Sequence, residues 1–87
     1  MNIFVSSSFQ KSYKKIIKKN PQLKIKIKEK IKTFIENPTN TSLKTHKLQG
    51  GLHRNYSFSV KSDLRILFTY VDNDVIFVDI GKHEEVY

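Results

Sequence analysis

Apolar residues recur along this chain with two different periods. Ile3-Phe4-Val5 is a short unbroken run and predicts a first strand. Ser6-Ser7-Ser8 interrupts it, and a serine hydroxyl can accept from the free N–H groups of a first helical turn. Phe9, Tyr13, Ile16 and Ile17 follow at i, i+4, i+7 and i+8, one face of a helix that should stop near Asn20. Asn20-Pro21 predicts a second start, with Asn as N-cap and Pro at the first helical position, where its missing N–H costs nothing. Leu23, Ile27, Ile31, Phe34 and Ile35 then share a face to about Glu36. Residues 23–28 also alternate with period two, as a strand would. The stripe continues through Phe34 and Ile35 at helical spacing, and it is longer than a typical strand, so a helix is expected. Ile25 falls off that face. Asn37-Pro38 ends the element, because a residue before proline is pushed away from helical geometry.

Residues 38–51 are polar and contain Gly50-Gly51, with Leu43 and Leu48 as the side chains that would pin the loop to a core. Three strands are expected beyond it, at about Leu52–Val60, Leu64–Val71 and Val75–Ile80. Asp72-Asn73-Asp74 supplies a hairpin turn between the last two. Ile66, Phe68 and Tyr70 alternate with Leu67, Thr69 and Val71, which suits a central strand covered on both faces. The order is strand, helical hairpin, then antiparallel strands: an α+β fold in one domain spanning residues 1–87, with the hairpin against one sheet face.

Charge adds a bias to this picture. The net charge is +8. Residues 1–47 hold twelve lysines against Glu29 and Glu36, a balance of +10, whereas residues 48–87 balance at −2. A basic half suggests a polyanion or an acidic partner protein, with a generally lysine-rich composition as the plainer explanation. Of the 16 basic residues 14 are Lys, so the potential is mostly point charge rather than bidentate readout. The chain has no cysteine, which removes disulfides and thiolate zinc sites and fits a reducing compartment. No apolar run approaches the roughly 18–20 residues of a membrane span, and the N-terminus does not read as a signal peptide, so a cytoplasmic location is expected. His46, His53 and His83 lack the helical spacing of a zinc site, and neither a phosphate-cradling glycine loop nor a serine nucleophile elbow is present, so no cofactor or metal is expected.

Three segments fall in a telling order: His46-Lys47-Leu48-Gln49-Gly50 before the first long strand, Ser62-Asp63-Leu64-Arg65-Ile66-Leu67-Phe68 opening the next, and Ile80-Gly81-Lys82-His83-Glu84-Glu85-Val86-Tyr87 at the end. In these segments, and in the two basic helices before them, the chain resembles the RelE/ParE superfamily of toxin–antitoxin toxins, nearest its YafQ-like members. The resemblance implies a RelE-like fold and a toxin that cuts messenger RNA in the ribosomal A site without a cofactor. Its partners would be the ribosome, the message, and an acidic, partly disordered cognate antitoxin. It makes His83 the C-terminal catalytic histidine and Tyr87 the aromatic residue that closes the site. Arg65 would hold the scissile phosphate, Asp63 and His46 would be further site residues, and Lys47, Lys61, Lys82 and Arg54 would contact RNA. Ser57 and Ser59 stand where YafQ-like toxins carry Asp and His, so the acid–base set is sparser.

Cleavage of this kind uses the ribose 2′-OH as nucleophile and needs one proton removed, another donated, and charge stabilised on phosphorus. Histidine, with a reference pKa of about 6.5, offers both forms near neutrality. Plainer roles stay open for each residue. His83 and His46 would then be loop histidines, Arg65 would pair with Asp63 or Asp79, Asp63 would shape its turn, and Tyr87 would be frayed. Two other functions remain: a ParE-type toxin that inhibits DNA gyrase without catalysis, and a degenerate toxin-like binding domain.

Overall fold

The computed structural model describes residues 1–48 and 55–82. The elements are β1 (Ile3–Val5), α1 (Ser7–Lys19), α2 (Leu23–Glu36), a 3₁₀ turn (Thr41–Leu43), β2 (His46–Lys47), β3 (Asn55–Lys61), β4 (Leu64–Val71) and β5 (Asp74–Gly81). The five strands form one mixed sheet in the order β1-β5-β4-β3-β2. β1 runs parallel to β5, and the other pairs are antiparallel. The expected α+β arrangement of helical hairpin and sheet is observed, with β4 at its centre.

Ser6 joins three elements. Its Oγ accepts from the Phe9 N–H at 3.0 Å and caps α1. The same hydroxyl donates to the Val78 carbonyl at 2.6 Å, and the Ser6 N–H donates to the Phe77 carbonyl at 3.0 Å. Ser6→Ala should therefore cost about 1–2 kcal/mol, since it removes a cap and leaves the Val78 carbonyl short of a donor. Thermal unfolding checks this: a domain of this size should lose on the order of 4–8 °C per kcal/mol.

The amphipathic stripes land on one face of the sheet, with α1 over β5 and α2 over β3. Phe34 of α2 lies at the centre of the core. Its ring stacks on Phe58 at 4.8 Å and meets Phe68 edge-on at 4.8 Å and Phe77 at 5.9 Å. Phe9 carries α1 onto Phe77 at 5.5 Å. Leu43 and Leu48 are buried, as their place in the polar loop suggested.

Four details differ from the sequence reading. Pro21 is not the first residue of α2: Asn20-Pro21-Gln22 makes a separate turn, with the Leu23 N–H donating to Asn20 and the Lys24 N–H to Pro21, and the helix begins at Leu23. Ile35 is half exposed, because the apolar arc of α2 centres on Ile27 and Phe34 and leaves Ile35 at its margin. The polar loop contains the 3₁₀ turn and the edge strand β2. Among the described residues, helices pack against one face of β4, and on the other Arg65 is buried while Leu67 and Thr69 are half buried. The first long strand is described from Asn55 onward, and its expected start at Leu52 lies outside the described residues. Ile25, off-face in the sequence, is 66% exposed.

Candidate active site

The face of the sheet turned away from the helices carries the polar residues. In β3, Phe58 and Val60 point into the core, which sends Ser57 and Ser59 to the opposite side. In β4 the same alternation sends Arg65 and Leu67 there. The registers set His46 against Ser57, Ser57 against Leu67, Ser59 against Arg65, and Arg65 against Gly81. Lys47 pairs with Tyr56, so it alternates away from His46. Both residues of β2 are exposed.

Arg65 is nearly buried, at 7% exposure. Its Nε–H donates to Ser57 Oγ at 2.9 Å, and its Nη2 donates to the Ser57 carbonyl at 3.1 Å and the Lys44 carbonyl at 2.6 Å. Of the carboxylates that could have paired with it, Asp63 accepts from Lys61 Nζ at 2.5 Å, and Asp79 accepts from Ser8 Oγ at 3.1 Å.

The β3–β4 turn, Ser62-Asp63, lies at one end of this face. A bulge between Ser59 and Lys61 offsets the register just before the turn, and Ser59 Oγ donates to the Lys61 carbonyl at 3.1 Å. Lys61, Asp63 and Lys82 line a cleft of about 490 Å³, closed on the other side by Lys15 and Lys19 of α1. The Lys61 ammonium holds the Asp63 carboxyl below the usual carboxylate range, by its hydrogen bond first and its charge after. Asp63 is therefore a carboxylate near neutrality. Its contact with Lys61 should persist there and be lost only as the pH falls through the lowered value. Carboxyl titration by NMR should show that depression in the wild type and its loss in Lys61→Ala.

Of the residues picked out in the sequence, Asp63, Lys61 and Lys82 come together at the cleft, Arg65 lies on the sheet face turned away from the helices, bonded to Ser57 and Lys44, and His46 stands beyond Ser57 on the edge strand. His83, Tyr87 and Arg54 lie outside the described residues. Sequence reasoning passed over the part Ser57 plays in holding Arg65. A hairpin folded about Ser62-Asp63 brings residues 57–59 alongside Arg65, so that neighbourhood was readable. Lys15 and Lys19 were legible only as part of a lysine-rich helix face. No helix among the described residues is long and apolar enough to cross a membrane.

The sequence pattern of the bacterial toxins of type II toxin–antitoxin systems described as YafQ matches residues 1–87. The chain belongs to the YafQ family of type II toxins. YafQ from Escherichia coli strain BL21(DE3) has the same fold, with a TM-score of 0.82 at 23% identity over 99% of this chain and 97% of that one. The same toxin in the E. coli DinJ–YafQ complex aligns with a TM-score of 0.80 at 23% identity, covering 99% and 97% of the two chains. A metal-bound toxin from Helicobacter pylori aligns with a TM-score of 0.79 at 28% identity, covering 100% and 99%. No curated protein sequence matches the chain.

Proposed function

We propose that this toxin is a ribosome-dependent endoribonuclease that silences translation by cutting messenger RNA. The observation that carries the reading is the YafQ-family fold with an exposed histidine on its edge strand and a lysine-lined cleft between α1 and the β3–β4 turn. The ribose 2′-OH attacks the adjacent phosphorus, and the bond to the 5′-oxygen of the next nucleotide breaks. The attacking oxygen loses its proton to a base, and the leaving oxygen receives one from an acid. The products are a 2′,3′-cyclic phosphate and a 5′-OH end. His83 and His46 are the proton-transfer pair in this scheme, and Tyr87 packs against a base. Lys47, Lys61, Lys82 and Arg54 hold RNA phosphates as point charges, while the fixed charge of Arg65 lies beneath the reacting group. Asp63 is a further residue of the site and holds Lys61 in place by accepting its hydrogen bond.

The cognate partner is an acidic antitoxin, partly disordered until it binds, as the excess of positive charge on residues 1–47 suits. Both would act in the cytoplasm. A message carrying a single 2′-deoxynucleotide at the cut position tests the chemistry. It should survive at that position and be cut elsewhere, and continued cutting there would rule out the 2′-OH as nucleophile.

One observation favours a second reading, a non-catalytic toxin of ParE type. Ser57 and Ser59 donate no acid–base chemistry, and both are engaged in the local frame. Inhibition of gyrase supercoiling with messages left intact would establish it.

A further inference from the structure

Arg65 connects two segments, on the sheet face turned away from the helices, that lie far apart in sequence. Lys44 closes the 3₁₀ turn with φ 46° and ψ 51°, in the left-handed region, where its Cβ crowds the following carbonyl. The Lys44 carbonyl is the acceptor for Arg65 Nη2 at 2.6 Å. From the other side the same guanidinium is held by the buried Ser57, through its hydroxyl and its carbonyl. His46 follows Lys44 by two residues and is registered against Ser57. Ser57, Arg65, the Lys44 carbonyl and the His46–Ser57 pairing thus form a closed circuit. β2 has only two residues and lies at the sheet edge, too short to fix its own position by ladder bonds alone.

We infer that Arg65 is a positioning residue: its guanidinium clamps the left-handed turn at Lys44 and thereby sets His46 beside Ser57 on the edge strand. The planar fork is what the clamp needs, because one group reaches a hydroxyl and two carbonyls in fixed directions. A lysine ammonium keeps the charge and loses that geometry. The catalytic consequence rests on the cleavage reading above; the structural link does not.

Four proteins test it: wild type, Arg65→Lys, Lys44→Gly and the double variant. Two readouts are taken, the NMR signals of the His46 ring and the kcat and KM for message cleavage on ribosomes. Arg65→Lys should shift the His46 signals and lower kcat by about 10–100-fold with KM little changed, since a displacement on the order of 1 Å is enough for that. Lys44→Gly should offset the loss, because glycine takes the left-handed conformation without the steric cost. In the Arg65→Lys background it should restore the His46 signals and recover about fivefold or more in kcat, given that displacement scale.

Unchanged His46 signals in Arg65→Lys, or no recovery on adding Lys44→Gly, overturn the clamp and leave Arg65 as a direct phosphate contact. If the wild type itself cuts no message, the cleavage reading fails, and the His46 signals still decide the clamp. Should circular dichroism show Arg65→Lys unfolded, Ser57→Ala takes its place. That variant removes one acceptor of the circuit and should shift the His46 signals in the same sense; signals left unmoved count against the clamp.

Discussion

Phe34→Ala is expected to lower the unfolding free energy by about 3–5 kcal/mol, the usual range for deleting a buried aromatic ring. Phe34 is fully buried and meets the rings of Phe58, Phe68 and Phe77, one from each of β3, β4 and β5. Its ring thus ties α2 to all three long strands. The vacated space cannot be filled from α2, because the neighbouring core residue there, Ile27, is already fully buried. A domain of this size has a total stability on the order of 5–15 kcal/mol, so the loss removes a large share of it. Urea unfolding reads the change directly. Ile35→Ala is the matched control: its side chain is half exposed, and the substitution should cost less than about 1 kcal/mol. Equal losses at the two positions would mean that the core is not centred on Phe34.

His83→Ala should reduce message cleavage by about 10²–10⁴-fold and leave unfolding unchanged, as expected for removal of one general acid or base. His83 follows Gly81 by two residues, and Gly81 is registered against Arg65, at the end of the sheet where Lys61 and Lys82 meet. His46→Ala should lower cleavage by a similar factor if the two histidines share the proton transfers. The double variant should then lose little more than the worse of the two single ones, because groups that act as a unit are not additive. A full product of the two losses would instead mean that the histidines act in separate steps. Cleavage that survives His83→Ala undiminished would remove this residue from the chemistry.

Much of this architecture was written in the periodicity. The stripe Phe9, Tyr13, Ile16 and Ile17 gave α1, and Leu64–Val71 became β4 with its bounds unchanged, because alternating apolar residues between two turn signals leave a strand little freedom. α2 was harder, because residues 23–28 fit both periods, and tertiary burial of Ile27 and Phe34 on one side resolves them as a helix. The edge strand β2 was not legible: two exposed residues carry no alternation, and only pairing with β3 makes them a strand. β1 was legible as a strand but not its parallel pairing to β5, which depends on the return of the chain seventy residues later.

The candidate site was legible by resemblance rather than by periodicity. Asp63, Lys61 and Arg65 were singled out through the family resemblance, and the structure sets them about one hairpin turn. Lys44 was missed because a lysine gives no sign of a left-handed backbone, and Ser57 because a serine in place of an acid reads as a loss rather than as a hydrogen-bond partner for arginine.

The most direct test of the central claim is to map the ends of a defined message after incubation with the wild-type toxin, with and without ribosomes. The account predicts cuts that appear only when ribosomes are translating the message, each leaving a 2′,3′-cyclic phosphate and a 5′-OH. A message left whole on ribosomes at high toxin concentration would contradict it, as would equal cutting of free RNA.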